Sequence, residues 1–204
     1  MKKIFGTKQV IEHSLEYING AVCDLGTDKA KYKDIIEKKA ATYTYFDKTK
    51  NSNTDYFGDP SHLPFSDASF DTVISCEFME HLEKPWLFVE EINRILKSGG
   101  ICVLTTPFLY PRHNRGQDFD YYRFTHNGLA SIFKQNDFTI IESAGYNKLF
   151  GTIYLMIRSE YIGENPGRVK SLFFDLLKKI TIRFDGFNNS QNIYSNSFVI
   201  AKKI

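Results

Sequence analysis

The chain reads as an α/β protein: a mostly parallel, doubly wound sheet with helices packed on both faces. Three observations predict this class. Short apolar and β-branched runs such as Thr72-Val73-Ile74-Ser75-Cys76 have the length of buried strands rather than helices. They alternate with stretches whose apolar residues recur at helical spacing, the pattern of parallel strands joined by crossover helices. The 204 residues, 42% hydrophobic and 25% charged, have ordinary globular composition and suffice for one domain with a real core. No repeat, low-complexity tract or second domain is visible.

Each element has its own signal. Val10, Ile11, Leu15 and Ile18 share a helical face that Asn19-Gly20 stops. Ala21–Leu25 is a short buried strand, Gly26-Thr27-Asp28 a turn, and Tyr32, Ile35 and Ile36 mark a helix. Thr42–Phe46 is β-branched and aromatic, a second strand. Asp55–Phe57 is a short third, and Thr72–Cys76 the fourth. Pro85 opens a helix at its first turn, where a missing N–H costs nothing. Phe88, Ile92, Ile95 and Leu96 are its apolar side, Glu90 and Glu91 can pair with Arg94 on its wet side, and Gly99-Gly100 is its expected end. Ile101–Thr105 is a fifth strand closed by Pro107. Leu129, Ile132 and Phe133 mark a helix capped near Thr125. Phe138–Glu142 is a sixth strand and Ser197–Ala201 the last.

Residues 147–192 break the simple alternation. Leu149–Tyr161 is apolar and aromatic, and Leu172, Phe173, Leu176, Leu177 and Ile180 form a helical stripe. Gly163–Gly167 and Asp185–Asn192 are its loops. The stripe reads as core or as a lid over the end of the sheet, with a homodimer contact as the other use of such a face.

Charge and cysteine usage narrow the function classes. A net charge of +2 with scattered lysines does not describe a nucleic-acid track. No apolar run reaches the length of a membrane span. Lys2-Lys3 has no apolar core behind it, so no secretory signal is expected, and a cytoplasmic protein is. Cys23, Cys76 and Cys102 are an odd set without paired spacing, which argues against disulfides and against zinc; no metal is expected.

Three motifs then carry a resemblance. Leu63-Pro64-Phe65-Ser66-Asp67-Ala68-Ser69-Phe70-Asp71, continuing to Glu80-His81-Leu82, is similar to class I S-adenosylmethionine-dependent methyltransferases, type 11. So is Glu90-Glu91-Ile92-Asn93-Arg94-Ile95-Leu96-Lys97-Ser98-Gly99-Gly100. Pro111-Arg112-His113 and Asp120-Tyr121-Tyr122-Arg123-Phe124-Thr125 resemble a branch of small methyltransferase-domain proteins often found with bacterial polysaccharide genes. The resemblance runs from about Ala21 to Tyr146. It implies a Rossmann-like, three-layer α/β/α fold with a seven-stranded sheet whose last strand is antiparallel. It also implies S-adenosylmethionine lying across the carboxyl ends of strands one to four.

On that resemblance, Asp24, Gly26 and Asp28 form the first loop, where small residues let backbone N–H groups approach the cofactor. Asp47 accepts bonds from the ribose hydroxyls, Asp59 meets the adenine amino group, and Cys76-Glu77 ends the fourth strand at the cofactor. Each acid also has a plain reading as a loop or turn residue. The family's Asp-x-Gly-x-Gly loop is here Asp24-Leu25-Gly26-Thr27-Asp28-Lys29-Ala30, so Asp28 and Ala30 stand where glycines are usual. That departure keeps open a degenerate fold serving as a binding or partner subunit. A nicotinamide dehydrogenase, lacking Gly-x-Gly-x-x-Gly here, ranks last.

Methyl transfer is an in-line displacement that depends on orientation and, for a hydroxyl acceptor, on removal of a proton. His113 is the first candidate base, with a solvated loop histidine as its plain reading. His81 either faces substrate or packs structurally, and Glu80 is placed toward the first loop. Asp120, Tyr121 and Arg123 form a substrate-side cluster for a small-molecule or sugar-type acceptor. Arg123 either clamps an acidic group of the acceptor or pairs with Asp118 or Asp120.

Overall fold

The computed structural model describes residues 4–113, 119–161, 167–187 and 192–204. In chain order it contains α1 (Thr7–Ser14), β1 (Ala21–Leu25), α2 (Lys33–Ile36), β2 (Thr42–Asp47), β3 (Tyr56–Phe57), β4 (Phe70–Cys76), α3 (Pro85–Ile95) and β5 (Leu96–Pro107). Then follow α4 (His126–Gln135), β6 (Phe138–Tyr146), α5 (Leu149–Tyr161), α6 (Arg168–Asp185) and β7 (Asn196–Lys203). The strands make one seven-stranded sheet in the order β3-β2-β1-β4-β5-β7-β6. β3, β2, β1, β4 and β5 pair in parallel, and β7 runs antiparallel between β5 and β6. The chain winds outward from β1 to β3, then crosses to β4 on β1's other side. That reversal is the switch point at which an open α/β sheet leaves a crevice at its carboxyl edge.

The strands are apolar on both faces because both are covered. Phe88 and Ile92 of α3 and Leu129 and Phe133 of α4 pack with Cys23, Val73, Cys102 and Leu104 on one face. Val10 and Ile11 of α1 and Ile36 of α2 pack with Val22, Ile74 and Val103 on the other. All three cysteines are buried and unpaired. Thr125 caps α4 by accepting from the Gly128 N–H, as its place before the apolar face predicted. Pro85 occupies the first turn of α3. Arg94 near the end of that helix grips both Glu91 oxygens at 2.8 Å, and donates to Leu63 and Phe65 carbonyls and to Asp67. That fork fixes the approach of the chain to β4.

Two expectations are corrected. Gly99-Gly100 does not end α3, which stops at Ile95. β5 begins at once with Leu96 opposite Phe70, and the register resumes at Ile101 opposite Thr72. Residues 97–100 bulge between, with Gly99 at φ 78° absorbing the turn and Lys97 held by Asp71. The stripe on α6 is not core: Leu172, Phe173, Leu176 and Ile180 are exposed. The buried face of α6 carries Phe174, which packs on Tyr154 of α5, and Asp185. Asp185 accepts from the Phe150 and Gly151 N–H groups at 2.8 Å each, placing a carboxylate at the start of α5. Among the described residues no helix is long and apolar enough to cross a membrane.

Candidate functional site

Leu25, Asp47 and Cys76 end β1, β2 and β4 side by side at the carboxyl edge. Gly26 follows β1 at φ 72°, its N–H donating to the Phe46 carbonyl at 2.8 Å. A Cβ there would lie 2.1 Å from Cδ2 of Phe78, so the turn needs glycine for the protein's own packing. Thr27 ties the loop to β4, its hydroxyl accepting from the Cys76 N–H at 3.2 Å. Asp28 is exposed, and the left-handed residues are Lys29 and Ala30, at φ 54° and 59°. The left-handed strain of this loop therefore falls on Lys29 and Ala30 and not on Asp28, at about 1–2 kcal/mol per residue.

The acids of this edge have separate environments. Asp24 is fully buried beneath the loop; Oδ2 accepts from the Tyr43 hydroxyl at 2.6 Å and Oδ1 has no partner. Burial pushes its pKa up to about 7, against the lowering influence of nearby Thr27 and of the Tyr43 hydrogen bond. Asp47 is half-buried at the tip of β2, accepting from the Tyr45 hydroxyl at 2.7 Å and the Thr49 N–H at 3.3 Å. Asp59 is exposed and accepts from the Ser61 N–H and hydroxyl at 2.8 Å, bonds that lower its pKa. It lines an open cavity of about 400 Å³ with Lys48, His81, Phe119 and Tyr121. Cys76 is buried, and burial pushes its thiol pKa up.

Glu77 departs from its expected place at the cofactor. Its φ of 53° turns the side chain to the other strands. One oxygen accepts from the Thr105 and Tyr146 hydroxyls at 2.8 and 3.0 Å, the other from Asn196 at 2.9 Å. The carboxylate is thus a hub joining β5, β6 and β7, and burial first, then Glu80, pushes its pKa up to about 7.

The acceptor side forms where the turn Met79–His81 meets the loop after β5. Glu80 is fully buried and neither carboxylate oxygen has a hydrogen-bond partner, so it does not bond the first loop as expected. His81 is also buried; Nδ1 lies 2.9 Å from the Phe119 carbonyl and Nε2 lies 3.6 Å from Glu80 Oε1. His113, half-buried, places Nε2 at 3.7 Å from the same oxygen and its ring edge-on to His81 at 5.1 Å. Its pKa is raised, first by Glu80, against the cost of burial. Asp120 accepts from the His113 N–H at 2.8 Å and pairs with both terminal nitrogens of Arg123. Arg123 also donates to the Tyr110, Pro111 and Tyr122 carbonyls. Its fork is spent on holding this loop, so of the two readings of Arg123 the pairing with Asp120 is the one observed; Asp118, the other expected partner, lies outside the described residues. Tyr121 is exposed, and its hydroxyl donates to Glu83 at 3.0 Å.

Residues 24–104 match the family described as "Methyltransferase domain". That match spans less than half of the chain, and over it the chain is similar to methyltransferase domains. An uncharacterized methyltransferase of Mycolicibacterium gilvum is 42% identical over 43 residues, which are 21% of this chain and 17% of that protein. The chain therefore matches only a small part of that relative's length. Phosphoethanolamine N-methyltransferase 2 of Haemonchus contortus, solved with S-adenosylmethionine, has a TM-score of 0.64 at 16% identity, over 97% of this chain and 53% of that one. The [4+2]-cyclase SpnF has a TM-score of 0.61 at 14% identity, over 96% of this chain and 80% of that one. At such identity these two structures show the fold alone.

The residues at this edge fit S-adenosylmethionine, the cofactor that the match to methyltransferase domains supports. A carboxylate has about four acceptor positions, and Asp47 uses two, which leaves room for two ribose hydroxyls. The buried Asp24 Oδ1 lies under the loop that follows β1 and has no hydrogen-bond partner. Sequence reasoning missed Tyr45, which orients Asp47, and Phe78, which dictates Gly26. The period of two that puts Tyr45 and Asp47 on one side of β2 was a usable signal; Phe78 had none.

Proposed function

We propose that this methyltransferase domain moves a methyl group from S-adenosylmethionine to a hydroxyl of a small-molecule or sugar-type acceptor, in polysaccharide biosynthesis. The observation that carries the reading is the convergence of Glu80, His81 and His113 at the carboxyl edge, next to the cavity that Asp59 and Tyr121 share. Asp47 binds the ribose, Asp59 the adenine edge, and the Asp24–Ala30 loop the methionine end. Asp120 and Arg123 act as positioning residues, because they hold the loop that carries His113. The Glu80–His81–His113 cluster activates the acceptor, with His113 as the member nearest solvent. His113→Ala is expected to lower turnover at least tenfold while cofactor affinity stays within twofold. Equal turnover in the two proteins refutes the assignment.

A second reading, a binding or partner subunit without transfer activity, is favoured by one observation. Two non-glycine residues, Lys29 and Ala30, hold the left-handed positions of the loop. Titration with S-adenosylmethionine and with NAD separates the readings. Heat with the first alone supports the enzyme, and heat with neither supports the subunit.

A further inference from the structure

Glu80, His81 and His113 bring three ligand atoms within 4.8 Å of one another. Both Glu80 oxygens and His81 Nε2 are buried without a hydrogen-bond partner. The tautomers follow from the second nitrogens. His81 Nδ1 faces the Phe119 carbonyl at 2.9 Å, and a carbonyl only accepts, so Nδ1 carries the proton. His113 Nδ1 faces the Pro111 carbonyl at 3.3 Å and Asp120 Oδ2 at 3.4 Å, again acceptors. In its neutral form each ring keeps a lone pair on Nε2, and those lone pairs face the Glu80 carboxylate.

Unpaired acceptors in such a place are costly unless a cation joins them. A proton shared between imidazole and carboxylate wants about 2.7–3.2 Å. The two observed separations are 3.6 and 3.7 Å. Ligands about 2.05 Å from a tetrahedral metal sit roughly 3.3 Å apart, and the observed spacing is nearer to that arrangement. The second nitrogens held by carbonyl and carboxylate are the outer contacts that orient metal-binding histidines.

We infer that Glu80 Oε1, His81 Nε2 and His113 Nε2 bind a first-row divalent transition metal such as Zn²⁺. Two imidazoles and one carboxylate suit such ions better than Mg²⁺ or Ca²⁺. The expectation of no metal came from the cysteines, and none takes part here. Three protein ligands leave a coordination position, and half-buried His113 marks the open side. Resting on the transfer reading, that position takes the acceptor hydroxyl. The metal-bound hydroxyl loses its proton to water, and its oxygen then forms the O–CH₃ bond. The S–CH₃ bond breaks, and its electron pair stays on sulfur.

The test is calorimetric titration of the chelator-stripped full chain with Zn²⁺, beside a parallel titration with S-adenosylmethionine. One ion per chain is expected. Glu80→Gln and His113→Ala should each weaken it by more than the 10–100-fold that losing an outer contact costs. His62→Ala, on the exposed surface, should not. His113→Ala removes a half-exposed ring and keeps the test decisive if Glu80→Gln fails to fold. No binding, or binding indifferent to both substitutions, overturns the metal site while leaving the S-adenosylmethionine titration to judge the transfer reading by itself.

Discussion

Gly26→Ala probes the joint between the cofactor loop and the core. The new Cβ would stand 2.1, 2.3 and 2.5 Å from Cδ2, Cγ and Cε2 of Phe78. Phe78 cannot swing clear cheaply, because it is buried and packs edge-on against Phe88 at 5.5 Å. A left-handed alanine costs about 1 kcal/mol. Forcing a methyl group into a filled core adds about 1–3 kcal/mol. The sum is about 2–4 kcal/mol, or a fall in Tm of about 4–16 °C for a chain of this length. Only the second part depends on Phe78. In a Phe78→Leu background, Gly26→Ala should therefore cost about 1 kcal/mol, a coupling of about 1–3 kcal/mol in a double-mutant cycle. Urea unfolding of the four proteins measures it. Equal cost in both backgrounds would refute the claim that Phe78 is why position 26 is glycine.

Further consequences concern the frame. Asp71 bonds Lys97 through both oxygens and the Ala21 N–H through one, and these hold its pKa below the usual carboxylate range. Its folded pKa is depressed, so its contribution is full above about pH 4 and is lost as pH falls through the folded value. Asp71→Asn should lower stability by about 1 kcal/mol at pH 7, with the gap closing in acid, as urea midpoints across pH will show. Asp185→Ala leaves the Phe150 and Gly151 N–H groups without their buried acceptor. It should cost about 1–3 kcal/mol, with faster amide hydrogen exchange at the start of α5 and little change in β1 or β4.

The parts that sequence made legible share a physical cause. Ala21–Leu25 and Thr72–Cys76 are apolar runs covered on both faces, so the runs themselves nearly mark the strands. The place of Asp47 at a strand tip was legible because it directly follows the β-branched and aromatic run Thr42–Phe46. Gly99-Gly100 misled because a glycine pair serves a bulge as well as a helix end. The α6 stripe was legible as a face, but periodicity does not say what covers a face. The Glu80–His81 pair was misplaced because its partners, His113 for Glu80 and Phe119 for His81, lie more than 30 positions away, and no local pattern encodes that meeting. Glu77 pointed the wrong way because one left-handed residue reverses the side-chain alternation that a strand end suggests.

The central claim is a cofactor seat at the carboxyl edge gripped by Asp47, and calorimetry with S-adenosylmethionine on the parent chain and Asp47→Ala tests it directly. The account predicts saturable binding in the parent and at least a tenfold loss in the variant, since hydrogen bonds to a charged group contribute about 1.5–3 kcal/mol and 1.4 kcal/mol is tenfold. No binding by the parent, or equal affinity in the two proteins, would contradict it.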